Sequence, residues 1–181
     1  MKNNKKLLGE ERRNELLKRL KASSFPLTGS DLARLANVSR QVIVGDITLL
    51  KARNEPIIAT SQGYIYLQQD PLHAQVERIV ACCHTPEDTE QELQLLVDTG
   101  VTVKDVKVEH PVYGDLSSPI MVSSRREAAQ FIKRIQDTNA TYLSQLTQGI
   151  HLHTLAAASE HILDEAEAAL QKAGFLVTEN D

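Results

Sequence analysis

Between Thr28 and Arg53 the chain reads TGSDLARLANVSRQVIVGDITLLKAR, and this stretch leaves few ways to fold. Thr28 and Ser30 are cap-type residues with Asp31 close behind, so a helix can start there, and Leu32, Leu35 and Ala36 then recur at i, i+3 and i+4. Asn37 and Val38 supply a turn. Ser39 caps a second helix, in which Ile43, Ile47 and Leu50 make one apolar stripe fit to pack on the first. Its other face carries Arg40, Gln41, Val44, Gly45, Thr48 and Lys51. Two short helices joined by a tight turn make a helix-turn-helix, and a second helix that projects Arg and Gln from its first turn has the shape and chemistry a major groove accepts.

The flanks extend the pattern. Residues 9–22 predict a bracing helix with Leu16, Leu17 and Leu20 inward and five basic residues, Arg12, Arg13, Lys18, Arg19 and Lys21, near its other faces. Phe25-Pro26 ends it, because proline disfavours helical geometry in the residue before it. After the second helix, Pro56–Ala59 and Tyr64–Leu67 read as two short strands around a turn at Ser61-Gln62-Gly63, a hairpin placed as a wing. Three helices and a wing, with the spacing SRxxxxxDIxxL from Ser39 to Leu50, resemble the winged helix of biotin-repressor-type transcription regulators over about residues 9 to 67. The resemblance implies DNA contacts from Ser39, Arg40, Gln41, Val44, Gly45, Thr48 and Lys51, with Gln62 at the wing.

Composition sharpens the division of labour. The formal net charge of -4 would repel a duplex, but it averages two opposed parts. Residues 1–55 hold 12 Lys and Arg against 6 Asp and Glu, whereas residues 56–181 hold 8 against 18. A basic first segment can gather phosphates by counterion release, and an acidic second one is left for another task. Aromatic residues are 4% with no Trp, which disfavours single-strand platforms built on base stacking. A basic tail at Lys2–Lys6 is expected to be disordered. No run is long and apolar enough for a membrane span, and the basic N-terminus lacks the apolar core of a signal peptide, so no membrane partner and a cytoplasmic location are expected. Cys82 and Cys83 are adjacent, which rules out an ordinary disulfide framework; they read first as small buried hydrophobes, with a soft metal ligand as the alternative.

A polar stretch broken by proline, Gln68 to Pro71, separates domains at 1–68 and 72–181. Beyond it, strand-like and helix-like runs alternate: a strand at 75–83, a helix at 86–98 stopped by Gly100, and a strand at 101–109 with the clean period of two VTVKDVKVE. A returning strand at 112–122, a helix from Ser123 or Ser124 to about Asp137, a strand at 149–156, a helix from Ser159 to Lys172 and a last strand at 175–178 complete the chain. The order predicts an α+β fold whose C-terminal domain is split-βαβ-like and mainly antiparallel, with helices on one face.

His151 and His153 stand two apart in GIHLHTL, and on a strand i and i+2 point to the same face, so their imidazoles lie side by side as a chelating pair. His84 follows the first strand of this domain and Glu92 lies two turns into the next helix, so both can close over the pair. Three imidazoles and a carboxylate suit a divalent transition metal such as Zn or Ni better than Mg or Ca. His110, between Glu109 and Pro111, is placed for a ligand pocket, and Arg125 or Arg126 at a helix start can pair with a carboxylate.

The segments HTPEDTEQELQLLVD (84–98), VKVEHPVYGDL (106–116), SSRREAAQFI (123–132) and LTQGIHLHTL (146–155) are similar to the three-histidine domain, a small-molecule-binding domain. Joined to a winged helix, the whole resembles the nicotinate-responsive repressors of NAD biosynthesis and niacin transport genes. That resemblance implies a homodimer on double-stranded operator DNA with inverted half-sites, nicotinic acid as co-repressor, no catalytic residues, and a divalent transition metal at His84, Glu92, His151 and His153. Gly45 in mid-helix departs from the pattern, since glycine there costs about 1 kcal/mol relative to Ala. Two other readings compete: a metal-dependent hydrolase fused to a DNA-binding module, because three His and a carboxylate with an open position can activate water, and an architectural DNA binder without an effector.

Overall fold

The computed structural model describes residues 8–67 and 75–178. The basic tail and the expected boundary at Gln68–Pro71 lie outside the described residues. The chain divides into two compact units, Met1–Gln69 and Asp70–Asp181. Among the described residues no helix is long and apolar enough to cross a membrane.

The first unit runs α1 (Gly9–Ala22), α2 (Gly29–Ala36), α3 (Arg40–Ala52), β1 (Ile57–Thr60) and β2 (Gly63–Tyr66). Its caps are those the sequence predicts. Thr28 accepts a hydrogen bond from the Asp31 amide at 3.1 Å, Ser39 accepts from the Val42 amide, and between them Asn37 takes the left-handed conformation that ends α2. Leu16, Leu20, Leu32, Ala36, Ile43, Ile47, Leu50 and Ile57 fuse into one core. One position differs: Leu35 is 38% exposed and Ala33 is buried in its place, because this short helix packs through Leu32, Ala33 and Ala36. β1 and β2 form the antiparallel wing, Ile57 opposite Tyr66, and Leu27 bonds both ways with Tyr64. Gly63 permits that closeness. A Cβ there would stand 2.6 Å from the Leu27 carbonyl, at a φ of +136° that L side chains rarely adopt.

The basic face expected on α1 is partly spent inside the unit. Asp46 of α3 is buried, and Arg12 and Arg13 both reach it, Arg12 Nη2 at 3.2 Å and Arg13 Nη1 at 3.3 Å. Glu10 takes hydrogen bonds from Arg53 and Arg13, which together hold its carboxyl down at about 2.

In the second unit the order is β3 (Val76–Cys83), a 3-10 turn at Pro86–Asp88, α4 (Thr89–Asp98), β4 (Thr102–His110), β5 (Gly114–Val122), α5 (Arg125–Thr138), a 3-10 turn at Leu143–Thr147, β6 (Ile150–Ala157) and α6 (Glu160–Ala173). The sheet order is β3-β6-β4-β5, every neighbour antiparallel. β3 and β4, joined through α4, therefore run the same way with β6 inserted between them, which is a split βαβ. α4 touches both α5 and α6, and Leu93, Leu96, Val103, Val122, Ala128, Leu155, Leu163 and Leu170 fill the layer between sheet and helices. The strand expected at 175–178 is reduced to one bridge, Leu176 to Cys82, flanked by bonds from the Cys83 amide to Phe175 and from Val177 to Ala81. The chain leaves α6 through Gly174 and follows the β3 edge too briefly for a ladder.

Replacing Asp46 by Asn removes the buried charge that Arg12 and Arg13 share. This is expected to lower the stability of the first unit by about 3 kcal/mol, read by thermal and denaturant unfolding of the full chain; an unchanged midpoint would show that the ion pair is energetically idle.

Candidate metal centre and DNA-reading face

β6 alternates as its period of two requires: His151 and His153 point into the molecule and are buried, while Leu152 between them faces outward. β3 lies beside it in a register that sets Cys82 opposite His151, and His84 follows two residues later. Glu92, 0% exposed, comes down on the imidazoles from α4. Its carboxylate lies 2.8 Å from His84 Nε2, 3.3 Å from His151 Nε2 and 3.3 Å from His153 Nε2. The rings meet edge to face, with centroids 4.9 Å apart for His84 and His151 and 4.8 Å for His151 and His153. The four residues that spacing alone groups therefore come together, the three rings meeting at Glu92.

The far side of each ring fixes what the near side can do. His84 Nδ1 lies 2.7 Å from the Thr85 carbonyl, His151 Nδ1 2.8 Å from that of Gly149, and His153 Nδ1 2.6 Å from that of Asp105. A carbonyl only accepts, so each Nδ1 carries the hydrogen and donates it, and each neutral ring then turns an Nε2 lone pair toward the carboxylate. Three lone pairs and an anion converging in a dry site require a cation among them. Protons can serve: burial pulls His84 and His153 down, but the hydrogen bond and charge of Glu92 outweigh it and raise both. Burial likewise pushes Glu92 up, yet the charge of His153 and the bonds from the three rings hold its carboxyl well below the usual range. A divalent metal can replace those protons, since the donor set and the backbone-anchored Nδ1 groups fit a borderline transition metal.

Two further residues belong to this centre. Cys82 is buried as expected, but its Sγ, a Glu92 oxygen and a His151 nitrogen lie within 4.8 Å of one another, so it is a member of the donor cluster as well as a packing residue. Burial, then the Glu92 charge, pushes its thiol up. Gly149 is the other, and no motif points to it. A Cβ there would stand 2.3 Å from the His84 carbonyl at a φ of +98°, so glycine lets β6 start directly against the backbone of His84. The sequence marks this position only by its place in front of the histidine pair.

Beside the cluster a narrow cavity opens between sheet and helices. The imidazoles and Glu92 close one side; Leu93, Val106, Ile120, Phe131, Tyr142 and Leu143 supply apolar walls.

On the first unit, Ser39, Arg40, Gln41, Gly45, Thr48 and Lys51 are exposed and Val44 is half-buried, opposite the buried stripe of Ile43, Ile47 and Leu50. A Cβ at Gly45 would meet nothing within 4 Å, so this glycine answers no need inside the unit. Gln62 departs from expectation. It is 8% exposed, with its amide nitrogen 3.3 Å from Ser61 Oγ, which removes it from the surface that the α3 residues share.

Residues 77–179 match the 3H domain family and residues 12–65 an HTH domain. The chain is 63% identical to the transcription repressor NadR of Bacillus subtilis (strain 168) over 173 residues, covering 95% of this chain and 96% of that protein. It is 37% identical to the probable transcription repressor NiaR of Thermotoga maritima over 174 residues, 96% of this chain and 98% of the other. The chain belongs to this family of transcription repressors. It is not an enzyme, and the hydrolase alternative falls with that finding.

The three residues expected to hold an effector in this repressor lie elsewhere than the cavity. His110 caps the β4–β5 turn, its Nδ1 accepting from the amides of Val112 and Tyr113 at 3.1 and 3.3 Å, and its ring rests against Tyr113. Arg125 forms a fork on Asp98. Arg126 is exposed on α5. Charge singles these three out in the sequence, whereas the cavity wall is built from apolar residues of several elements that no local spacing connects.

The raised His84 and His153 values give a signed expectation for the repressor kept in chelator. A folded-state pKa above the unfolded 6.5 contributes stability that is whole below that value and is lost as pH rises through the folded value. Glu92, held below 4.5, adds its part above that value and loses it only on stronger acidification. The chelated protein is thus expected to melt higher near pH 6 than near pH 8, measured by calorimetry; the opposite order would contradict the charge pairing described.

Proposed function

We propose that this chain is a homodimeric, cytoplasmic repressor of genes for NAD biosynthesis or niacin uptake, with nicotinic acid as co-repressor and a Zn or Ni ion held by His84, Glu92, His151 and His153 in the C-terminal domain. The observation that carries this reading is the convergence of three backbone-anchored imidazoles on one buried carboxylate, inside a chain aligned nearly end to end with two repressors. Zinc and nickel accept nitrogen and carboxylate donors, and the Nδ1 bonds fix the rings for coordination through Nε2. DNA is read by α3: Arg40 and Gln41 meet base edges from the first turn, Ser39, Val44, Gly45 and Thr48 line the contact, and Lys51 near the helix end meets phosphate.

Dimerisation is supported by the sheet face that the helices leave uncovered. Ile79, 59% exposed, Ile150, 57% exposed, and the outward Leu152 share that face and form an apolar patch. Ile79→Arg is expected to turn a dimer into a monomer in sedimentation velocity; a wild-type protein that sediments as a monomer at micromolar concentration would remove this part of the reading.

The main test is an operator titration followed by fluorescence anisotropy. Nicotinate is expected to raise affinity for the specific duplex, and chelator to remove that gain. Arg40→Ala is expected to lose about 1–3 kcal/mol of discrimination between specific and random duplexes, whereas Lys51→Ala weakens both alike and flattens the salt dependence. The double variant His151→Ala, His153→Ala is expected to lose bound metal and the nicotinate response while keeping basal DNA binding. Full metal content in that variant would sink the ligand assignment, and an intact nicotinate response would sink the switch.

A further inference from the structure

Thr89 is the first residue of α4, lines the cavity beside the imidazole cluster, and is buried, and its hydroxyl has no hydrogen-bond partner among the described residues. Other threonines on helices of this chain satisfy themselves: Thr48 donates to the Val44 carbonyl and Thr138 to that of Arg134. Thr89 opens its helix, lines a mostly apolar cavity and is left with a buried, unpaired hydroxyl. Buried hydroxyls are almost always paired, and one that is not calls for an explanation.

Its position supplies one. Thr89 and Glu92 are three residues apart on α4, which puts them on one helix face with Cβ atoms roughly 5–6 Å apart, and both line the same cavity. Between them the slot is walled by Phe131 and Tyr142, whose ring centroids are 6.4 Å apart, and by Leu93, Val106 and Ile120. The slot therefore has two polar ends of different character: a multidentate, cation-holding cluster at one and a single hydroxyl at the other.

We propose that Thr89 sets effector specificity by donating a hydrogen bond to the ring nitrogen of a pyridine-3-carboxylate whose carboxylate faces the His84, His151 and His153 cluster. This rests on the nicotinate response proposed above and assigns the effector its place and orientation. The orientation follows from charge. A carboxylate in an apolar slot is not compensated by one hydroxyl, so it takes the imidazole end, while a neutral pyridine nitrogen has one lone pair that one hydroxyl satisfies.

The test is calorimetric titration of the metal-loaded full-length protein with nicotinate and with benzoate, which has the carboxylate but no ring nitrogen. Thr89→Val keeps the side-chain shape and removes an unpaired hydroxyl, so its melting temperature and metal content are expected to match or exceed those of the wild type. It is expected to weaken nicotinate about tenfold and to leave benzoate unchanged, and Thr89→Ser is expected to restore nicotinate. The 15N shift of labelled nicotinate, moved by the hydrogen bond in the wild type, is expected to return toward its free value in the Val variant. Equal weakening of both ligands would place the hydroxyl on the carboxylate and overturn the orientation, and no change in either would overturn the site. Wild-type protein that binds no nicotinate would overturn the effector reading itself, a distinct result.

Discussion

A carboxylate with none of its surface in water is the constraint around which the second unit is built. Glu92 cannot be ionised in an apolar layer without counter-charge, and here three imidazoles supply it at hydrogen-bond distance. Several features of the fold follow as conditions for that meeting. β6 must present alternate residues inward, β3 must pair with it so that His84 ends beside His151, and α4 must cross where its Glu92 points at the sheet. Gly149 makes the closest of these approaches sterically possible.

The first unit uses the same physics for a different end. Asp46 is buried under Arg12 and Arg13, and this ties α1 to α3 through charge where apolar packing alone would leave their relative rotation looser. The choice also sorts the basic residues. Two arginines of α1 become structural, and the cations left exposed on α3 are Arg40 near its start and Lys51 near its end. A stripe of positive charge counted from sequence thus overstates what a duplex meets, because charge counting does not distinguish a guanidinium pointed inward.

Local rules make much of this legible in the sequence. Thr28 and Ser39 are caps because each side-chain oxygen accepts from the amide three residues on, and His151 and His153 share a face because a strand admits no other arrangement. The split βαβ order is readable for the same reason. What escapes depends on groups distant in sequence. The cavity joins α4, β4, β5, α5 and the 3-10 turn at Leu143–Thr147, a turn too short to carry an apolar period. Leu35 and Ala33 exchange roles because a short helix can rotate by one position without changing its composition, and Gln62 is hidden by a tight turn that looks open on paper. His110 and Arg125 are reasonable anion partners by charge and are claimed by local structure instead, while Arg126 stays on the exposed side of α5.

The same separation of scales bears on how such a repressor can be switched. A ligand shifts an equilibrium only by its differential affinity for the two states, so a tenfold gain in operator affinity needs about 1.4 kcal/mol of coupling. That is comparable to one well-formed hydrogen bond to a buried group, and far smaller than the electrostatic energies balanced around Glu92. Rings anchored at Nδ1 resist rearrangement, and a coupling of this size does not require one. In the proposed dimer each chain contributes its own increment, so two modest couplings multiply to about a hundredfold change in affinity. A stiff metal-type centre with a small, unsatisfied hydroxyl beside it is therefore a sufficient design for the switch proposed above: the rigid part would hold the ligand's charge, and the weak part would decide which ligand is worth holding.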